Sequence, residues 1–273
     1  MIKIIELSTM KERMLAPNEA SVLCLGNFDG VHIAHAELIR RTVTLAKEIS
    51  MGDPFKERVL SGAFFFLDHP SESLNSVGDV LLTDIKDKLE IFRSLGLEIA
   101  AVARFDQLMN LSPEEFVSEI LKKECAAVGA VCGYNFRFGR GGSGNAARLC
   151  SLFGENNCEV VERIDIDGYE LSSSAIRTAL ENGDVKLAAM LLGRNFFVRA
   201  SVELDFDGAA IARFDKNAAV PREGAYRARL IRGEESFDSS VRVVLENGNV
   251  FCRGICDKIS VGENIKIEFI EKI

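Results

Sequence analysis

Leu23-Cys24-Leu25-Gly26-Asn27-Phe28-Asp29-Gly30-Val31-His32-Ile33-Ala34-His35 is the stretch on which the reading of this chain turns. Ser21 to Leu25 is an apolar run of strand length, Gly26 to Gly30 holds the residues of a tight turn, and Ala36 to Ile49 has helical periodicity. A strand feeding a helix through a glycine-bearing loop gathers backbone N–H groups and the positive end of the helix dipole at one point. Such a point attracts phosphate. His32 and His35 stand three apart at the helix start and therefore face the same way. The chain has 3 histidines, so two of them meet here.

Outward from this junction, strand-like and helix-like stretches alternate to about residue 190. Strands are expected at Ser21 to Leu25, Val59 to Leu67, Ile99 to Ala103, Ala126 to Cys132 and Glu159 to Ile164, with helices near 36–49, 84–95, 113–123 and 145–153. Buried strands alternating with helices predict an α/β fold, a doubly wound parallel sheet covered on both faces. Ligands of such sheets bind beyond the carboxyl ends of the strands. Past Gly193-Arg194 the pattern changes. Ser240 to Ile255 flanks Asn247-Gly248, a strong hairpin signal, and Val261 to Ile270 alternates again, which predicts a small C-terminal antiparallel β-barrel. The expected domains are 1–190 and 197–273.

Composition narrows the partners. A net charge of −8 over 273 residues argues against nucleic acid or an anionic membrane as a general partner. The apolar runs fall far short of the ~20 residues of a membrane span, and charge interrupts the N-terminal MIKIIELSTMKERM too early for a signal peptide. Seven cysteines without a C-x-x-C pair predict small buried thiols in a reducing cytoplasm, and Cys252 and Cys256 lack a nearby histidine for zinc.

Further stretches carry chemistry. Phe64, Phe65 and Phe66 read as core, after which Leu67-Asp68-His69-Pro70 leaves the strand at its carboxyl edge. Ser112, Pro113 and Glu115 form a capping box with proline at the first helical position. Gly139 to Gly144 satisfies G-x-G-x-x-G, but Tyr134 to Phe138 separate it from its strand and it comes late in the sheet. Flanked by Arg137 and Arg140, it reads better as a cationic flap over phosphates. Ser172, Ser173 and Ser174 can cap the helix that starts there. Arg177, read as a cation in its first turn, opposes the dipole and suggests an anion nearby. Neither a P-loop nor a G-x-S-x-G elbow occurs.

Gly26 to His35 resembles the G-x-F-D-x-x-H-x-G-H signature of the nucleotidylyltransferase superfamily, and most closely that of the bacterial FAD synthetases, the riboflavin kinase/FMN adenylyltransferases. Ala34 stands where that family has glycine, and Asp68 replaces a proline of its T-F-x-P-H-P segment. Leu111 to Phe116 and Gly133 to Gly139 are similar to its L-S-P-E-E-F and G-x-D/N-F-x-F-G segments, and Leu171 to Arg177 to I-S-S-T-x-I-R. The resemblance implies ATP and FMN as substrates with Mg²⁺, and His32, His35 and Arg177 as the catalytic groups on the phosphates. It also implies nucleotide contacts from Gly26, Asn27, Phe28, Asp29, Gly30, Asn135, Ser172, Ser173 and Ser174. His69 falls near the flavin side, and Phe136 and Phe138 form a wall or lid. Asp29 and Asp106 are candidate metal ligands, neither of them assigned. Adenylyl or cytidylyl transfer to another phosphate acceptor, or a flavin or nucleotide sensor without turnover, are the alternatives. In the C-terminal part Val220 to Tyr226 resembles the kinase's L-P-x-x-G-V-Y turn. The kinase's G-F-P-T-A-N segment has no counterpart in Gly208 to Phe214, so riboflavin phosphorylation is expected to be absent or vestigial, with the barrel serving packing, assembly or flavin presentation.

Overall fold

The computed structural model describes residues 2–7, 14–52, 58–67, 80–246 and 249–273. Packing groups the chain into two units, Met1–Asp79 with Ile85–Ile164, and Val80–Asp84 with Asp165–Ile273.

In the first unit β1 (Lys3–Glu6), β2 (Glu19–Leu25), β3 (Arg58–Phe66), β4 (Ile99–Ala103), β5 (Ala127–Gly133) and β6 (Cys158–Val161) form one sheet in the order β1-β4-β3-β2-β5-β6. Every ladder in it is parallel. Helices α1 (Ile33–Met51), α2 (Ile85–Ser94) and α3 (Ala146–Phe153) supply the covering layers. Because side chains alternate along a strand, Leu23 and Leu25 enter one core with Phe64, Phe116 and Leu149. Val22 and Cys24 enter the other with Ile39, Phe65 and Phe92. The doubly wound sheet expected from the apolar runs is therefore observed, and Phe64 and Phe65 are core residues.

Strand β1 escapes sequence reading because Ile5 alone of its four residues is buried, which leaves no pattern to see. The helix expected at 113–123 begins with the capping box as read, then widens at Phe116–Glu124 into a π-helix, with Cys125 N–H donating to Ile120 O. The cysteine expectation needs correction: Cys150 and Cys158 form a disulfide, their Cα atoms 5.0 Å apart. The chain reverses between α3 and β6 and returns one cysteine to the other, a pairing the spacing did not reveal. Cys24, Cys125, Cys132 and Cys252 are the expected buried thiols, each pushed up to about 12 chiefly by burial. Among the described residues no helix is long and apolar enough to cross a membrane.

The second unit holds β7 (Phe196–Leu204), β8 (Ala210–Phe214), β9 (Gly224–Arg232), β10 (Glu235–Glu246), β11 (Asn249–Arg253) and β12 (Asn264–Lys272), closed as β7-β8-β11-β10-β9-β12. Glu246 pairs with Asn249, so Asn247-Gly248 connects the hairpin expected there, although those two residues lie outside the described ones. The barrel interior is solid. Tyr226 meets Phe269 edge-on at 5.5 Å and Phe196 stacks on Phe269 at 6.3 Å, as a barrel this small requires. Between β7 and β8, Asp205 N–H donates to Ala209 O at 2.8 Å, and Arg253 pairs with both Asp205 and Asp207. Gly208 to Phe214, the stretch set against the kinase's G-F-P-T-A-N segment, thus belongs to a closed hairpin.

Helix α4 (Ser173–Glu181) is followed by α5 (Val185–Leu192), which packs on β7 and β12 and is closed by Gly193 at φ 73°. The boundary by packing falls at Ile164/Asp165, before the 190–197 interval suggested by motif order, because the apolar side of α5 finds its partner on the barrel. Val80–Asp84 joins the same unit: Leu81 bonds Asn217 O and Ala219 N, and Asp84 pairs with Arg199 at 3.3 Å.

Candidate active site

From β2 the chain adds β3 and β4 to one side, where the N-terminal β1 forms the edge, and β5 and β6 to the other, so strand order reverses between β2 and β5. A crevice opens beyond the carboxyl ends of the strands at such a switch point. Leu25 pairs with Cys132 there, so the Gly26 loop and the Gly133 loop leave the sheet side by side. Two of the sequence motifs are thereby neighbours by topology.

The Gly26 loop is tightly wound. Phe28, Gly30 and Val31 take φ of 52°, 81° and 41°, a left-handed path that costs a β-branched residue most. Phe28 is completely buried, its ring 5.1 Å from His35 and 5.2 Å from Phe92. Phe28 is therefore the anchor of the turn. Asp29 is buried within it as well.

His32 is the N-cap of α1. Its Nδ1 accepts from His35 N–H at 3.4 Å, and the two rings stack at 3.7 Å with 14° between their planes. A neutral imidazole that accepts at Nδ1 carries its proton on Nε2, so His32 is a cap at one nitrogen and a donor at the other. Ala34 is the second residue of α1, where helical backbone suits alanine and does not call for glycine. One turn further on, Glu37 accepts from Arg40 at 2.7 and 2.6 Å and from Arg41 at 2.8 Å. The hydrogen bond from Arg40, and then that from Arg41, hold the Glu37 carboxyl down at about 2. A carboxylate with a lowered folded-state pKa stabilises above its unfolded value and loses that contribution as pH falls toward about 2. Glu37→Gln is expected to lower the urea midpoint modestly at neutral pH and to flatten the pH dependence of stability between about pH 4.5 and 2, so that wild type and variant converge as the pH falls toward about 2, measured by urea midpoints at stepped pH.

Across the switch point, Asn135 is exposed just after β5, where Tyr134 N–H donates to Val161 O at 2.9 Å and Phe136 N–H to Gly133 O at 3.0 Å. Phe136 is partly buried and stacks at 5.6 Å on Phe138, which is itself in the core beside Phe116. Phe138 thus supports Phe136 from beneath. The glycine loop is fastened at its base: Arg140 N–H donates to Leu111 O at 2.7 Å, and a Cβ on Gly139 would stand 2.8 Å from Pro113 N. Arg148 grips Glu114 at 2.6 Å. The Leu111–Phe116 segment, read from sequence as a capping box alone, also ties down the loop.

In the second unit Ser172 is the N-cap of α4, accepting from Ala175 N–H at 3.1 Å, with Ser173 and Ser174 opening the helix. Arg177 is the fifth residue of α4, and its Nε donates to Val80 O at 2.9 Å. The dipole argument for Arg177 is corrected accordingly, since it lies beyond the first turn and the carbonyl gives it a partner. His69 lies outside the described residues.

Among the described residues no three His, Cys, Asp or Glu side chains converge to hold a metal. Asp106 is exposed and paired with Arg104, and Asp29 is folded into its turn. These residues do not form a magnesium cage. Sequence reading also passed over Lys88, whose Nζ donates to Asn27 O at 3.0 Å and lies 4.9 Å from the centre of the Phe65 ring. The available signal was its place four residues before the fully buried Phe92, which puts a lysine on the inward face of α2.

Residues 15–175 match the family model described as FAD synthetase. The chain is 33% identical over 191 residues to the bifunctional riboflavin kinase/FMN adenylyltransferase of Bacillus subtilis, a stretch covering 67% of this chain and 56% of that protein. It is 29% identical over 226 residues to the Listeria monocytogenes protein of the same name, covering 78% of this chain and 69% of that one. The chain therefore spans little more than half of the first relative's length. The crystal structure of a Streptococcus pneumoniae protein titled macrolide-efflux protein superposes with a TM-score of 0.84 at 21% identity, covering 100% of this chain and 91% of that one. That likeness concerns the fold.

Proposed function

The chain belongs to the FAD synthetase family, and from that premise we propose that it makes FAD by transferring the adenylyl group of ATP to FMN. An FMN phosphate oxygen forms a bond to the α-phosphorus of ATP while the bond from that phosphorus to the bridging oxygen of the β-phosphate breaks, and pyrophosphate leaves. A phosphate monoester loses its second proton near pH ~6, so the nucleophile is already ionised at neutrality and needs no base. The difficulty is repulsion between two polyanions, which positioning and cationic or amide donors relieve.

The observation that carries this reading is the arrangement at the switch point, where a left-handed turn opens helix α1 with two stacked imidazoles at its mouth. In this reading His32, through Nε2, and His35 donate to the ATP phosphates, and the amides of Gly26 to Gly30 line the same anion. Arg177 and Ser172 to Ser174 contribute to the triphosphate, Asn135 to the nucleotide, and His69 and Phe136, propped by Phe138, to the flavin. Mg²⁺ enters with the substrate as MgATP, and no protein step passes through it. The barrel is a structural domain without kinase chemistry, supported by its filled interior and the short Asp205–Ala209 hairpin.

Incubation of purified protein with MgATP and FMN is expected to yield FAD and pyrophosphate in equal amounts, while MgATP with riboflavin alone yields no FMN. Tight FMN binding without FAD would favour a sensor, and product from another phosphate acceptor in preference to FMN would move the assignment within the nucleotidylyltransferases.

A further inference from the structure

We propose that Lys88 is a positioning residue that sets the anion-binding form of the Gly26–Val31 turn. The argument starts from strain. Phe28 and Val31 both lie in the left-handed region, at 52° and 41°, and L-residues hold such angles only where their surroundings over-determine them. Two constraints act on Phe28. Its ring is clamped against His35 and Phe92, and the peptide in front of it is held by the Lys88 ammonium, 3.0 Å from Asn27 O.

The second constraint decides where the turn's hydrogens point. No peptide bond in the described chain is cis, and in a planar trans peptide C=O and N–H point in opposite directions. Drawing the Asn27 carbonyl to a side chain that is only 8% exposed turns the Phe28 N–H to the opposite side of the peptide, away from Lys88. A cation on the carbonyl also polarises the peptide and strengthens that N–H as a donor. The Phe65 ring, 4.9 Å from Nζ, closes the other side and keeps the ammonium in place. Lys88 thus fixes the turn from behind without touching the ligand.

The inference deepens the proposed function and rests on its phosphate site, so the test reads phosphate binding apart from turnover. Titration calorimetry with inorganic pyrophosphate is done on wild type and on Lys88→Met, which keeps length and packing but has no donor. Lys88→Cys alkylated with 2-bromoethylamine restores an ammonium at nearly the same reach, with alkylated wild type as control. Pyrophosphate affinity is expected to fall at least tenfold in Lys88→Met and to recover in the aminoethylated variant, with KM for FMN within twofold and kcat reduced. Equal pyrophosphate affinity in wild type and Lys88→Met overturns the proposal. A loss that the restored ammonium does not reverse, or that merely follows a lowered Tm, overturns it as well. If wild type binds pyrophosphate in this Lys88-dependent way but makes no FAD, the adenylyltransferase reading fails and the role of Lys88 stands. If wild type binds no pyrophosphate, both fail.

Discussion

His35→Ala is expected to lower kcat for FAD formation by roughly two to three orders of magnitude, the usual cost of losing one donor aimed at developing phosphate charge. The effect should fall on kcat more than on KM for FMN, because the flavin contacts lie elsewhere in the proposed site. His32 needs a different substitution, since its Nδ1 also caps α1. Alanine would mix a lost cap, worth about 1 kcal/mol, with a lost donor. Asparagine caps a helix comparably well, so His32→Asn should keep Tm within a few degrees and still lose most activity. Steady-state kinetics beside thermal melts make the comparison, and a kcat within threefold of wild type in both variants would rule out the imidazole pair as the phosphate grip.

Gly62→Val is expected to prevent the first unit from folding, or to destabilise it by about 3 kcal/mol or more, as severe overpacking of a core does. Gly62 lies in β3, beside Leu23 of the strand that launches the turn. A Cβ there would stand 2.3 Å from Ile99 Cγ1 and 2.9 Å from Leu23 Cδ2, inside contact distance on both neighbouring strands. Neither neighbour can withdraw, because Leu23 and Ile99 are themselves core side chains of a sheet covered on both faces. Insoluble expression, or a urea midpoint far below wild type by circular dichroism, is the result expected. A midpoint close to wild type would mean that the β2–β3–β4 packing is looser than these distances require.

The two predictions differ in how far sequence alone leads to them. His32 and His35 were legible because their spacing, the glycines before them and the apolar strand before those are local features. Strand and helix positions were readable for the same reason: two-residue and 3.6-residue periodicities record burial along a continuous segment, and five sheet strands were found within a few residues of their observed ends. Gly62 was not legible. A glycine in an apolar run reads as a weak strand position until Leu23 and Ile99 are known to flank it.

What the sequence by itself determined is the two-part architecture, the motif-bearing loops, the capping box at Ser112 and the family to which these motifs point. Each of these is written in neighbouring residues. What only the tertiary structure decided is which distant groups share a space: Lys88 beneath Asn27, Arg140 on Leu111, the Cys150–Cys158 disulfide, and Arg177 on Val80 instead of in a first helical turn. These pairings depend on the order in which strands join the sheet and barrel. Strand order is set by total burial over the whole chain, and no local periodicity encodes it.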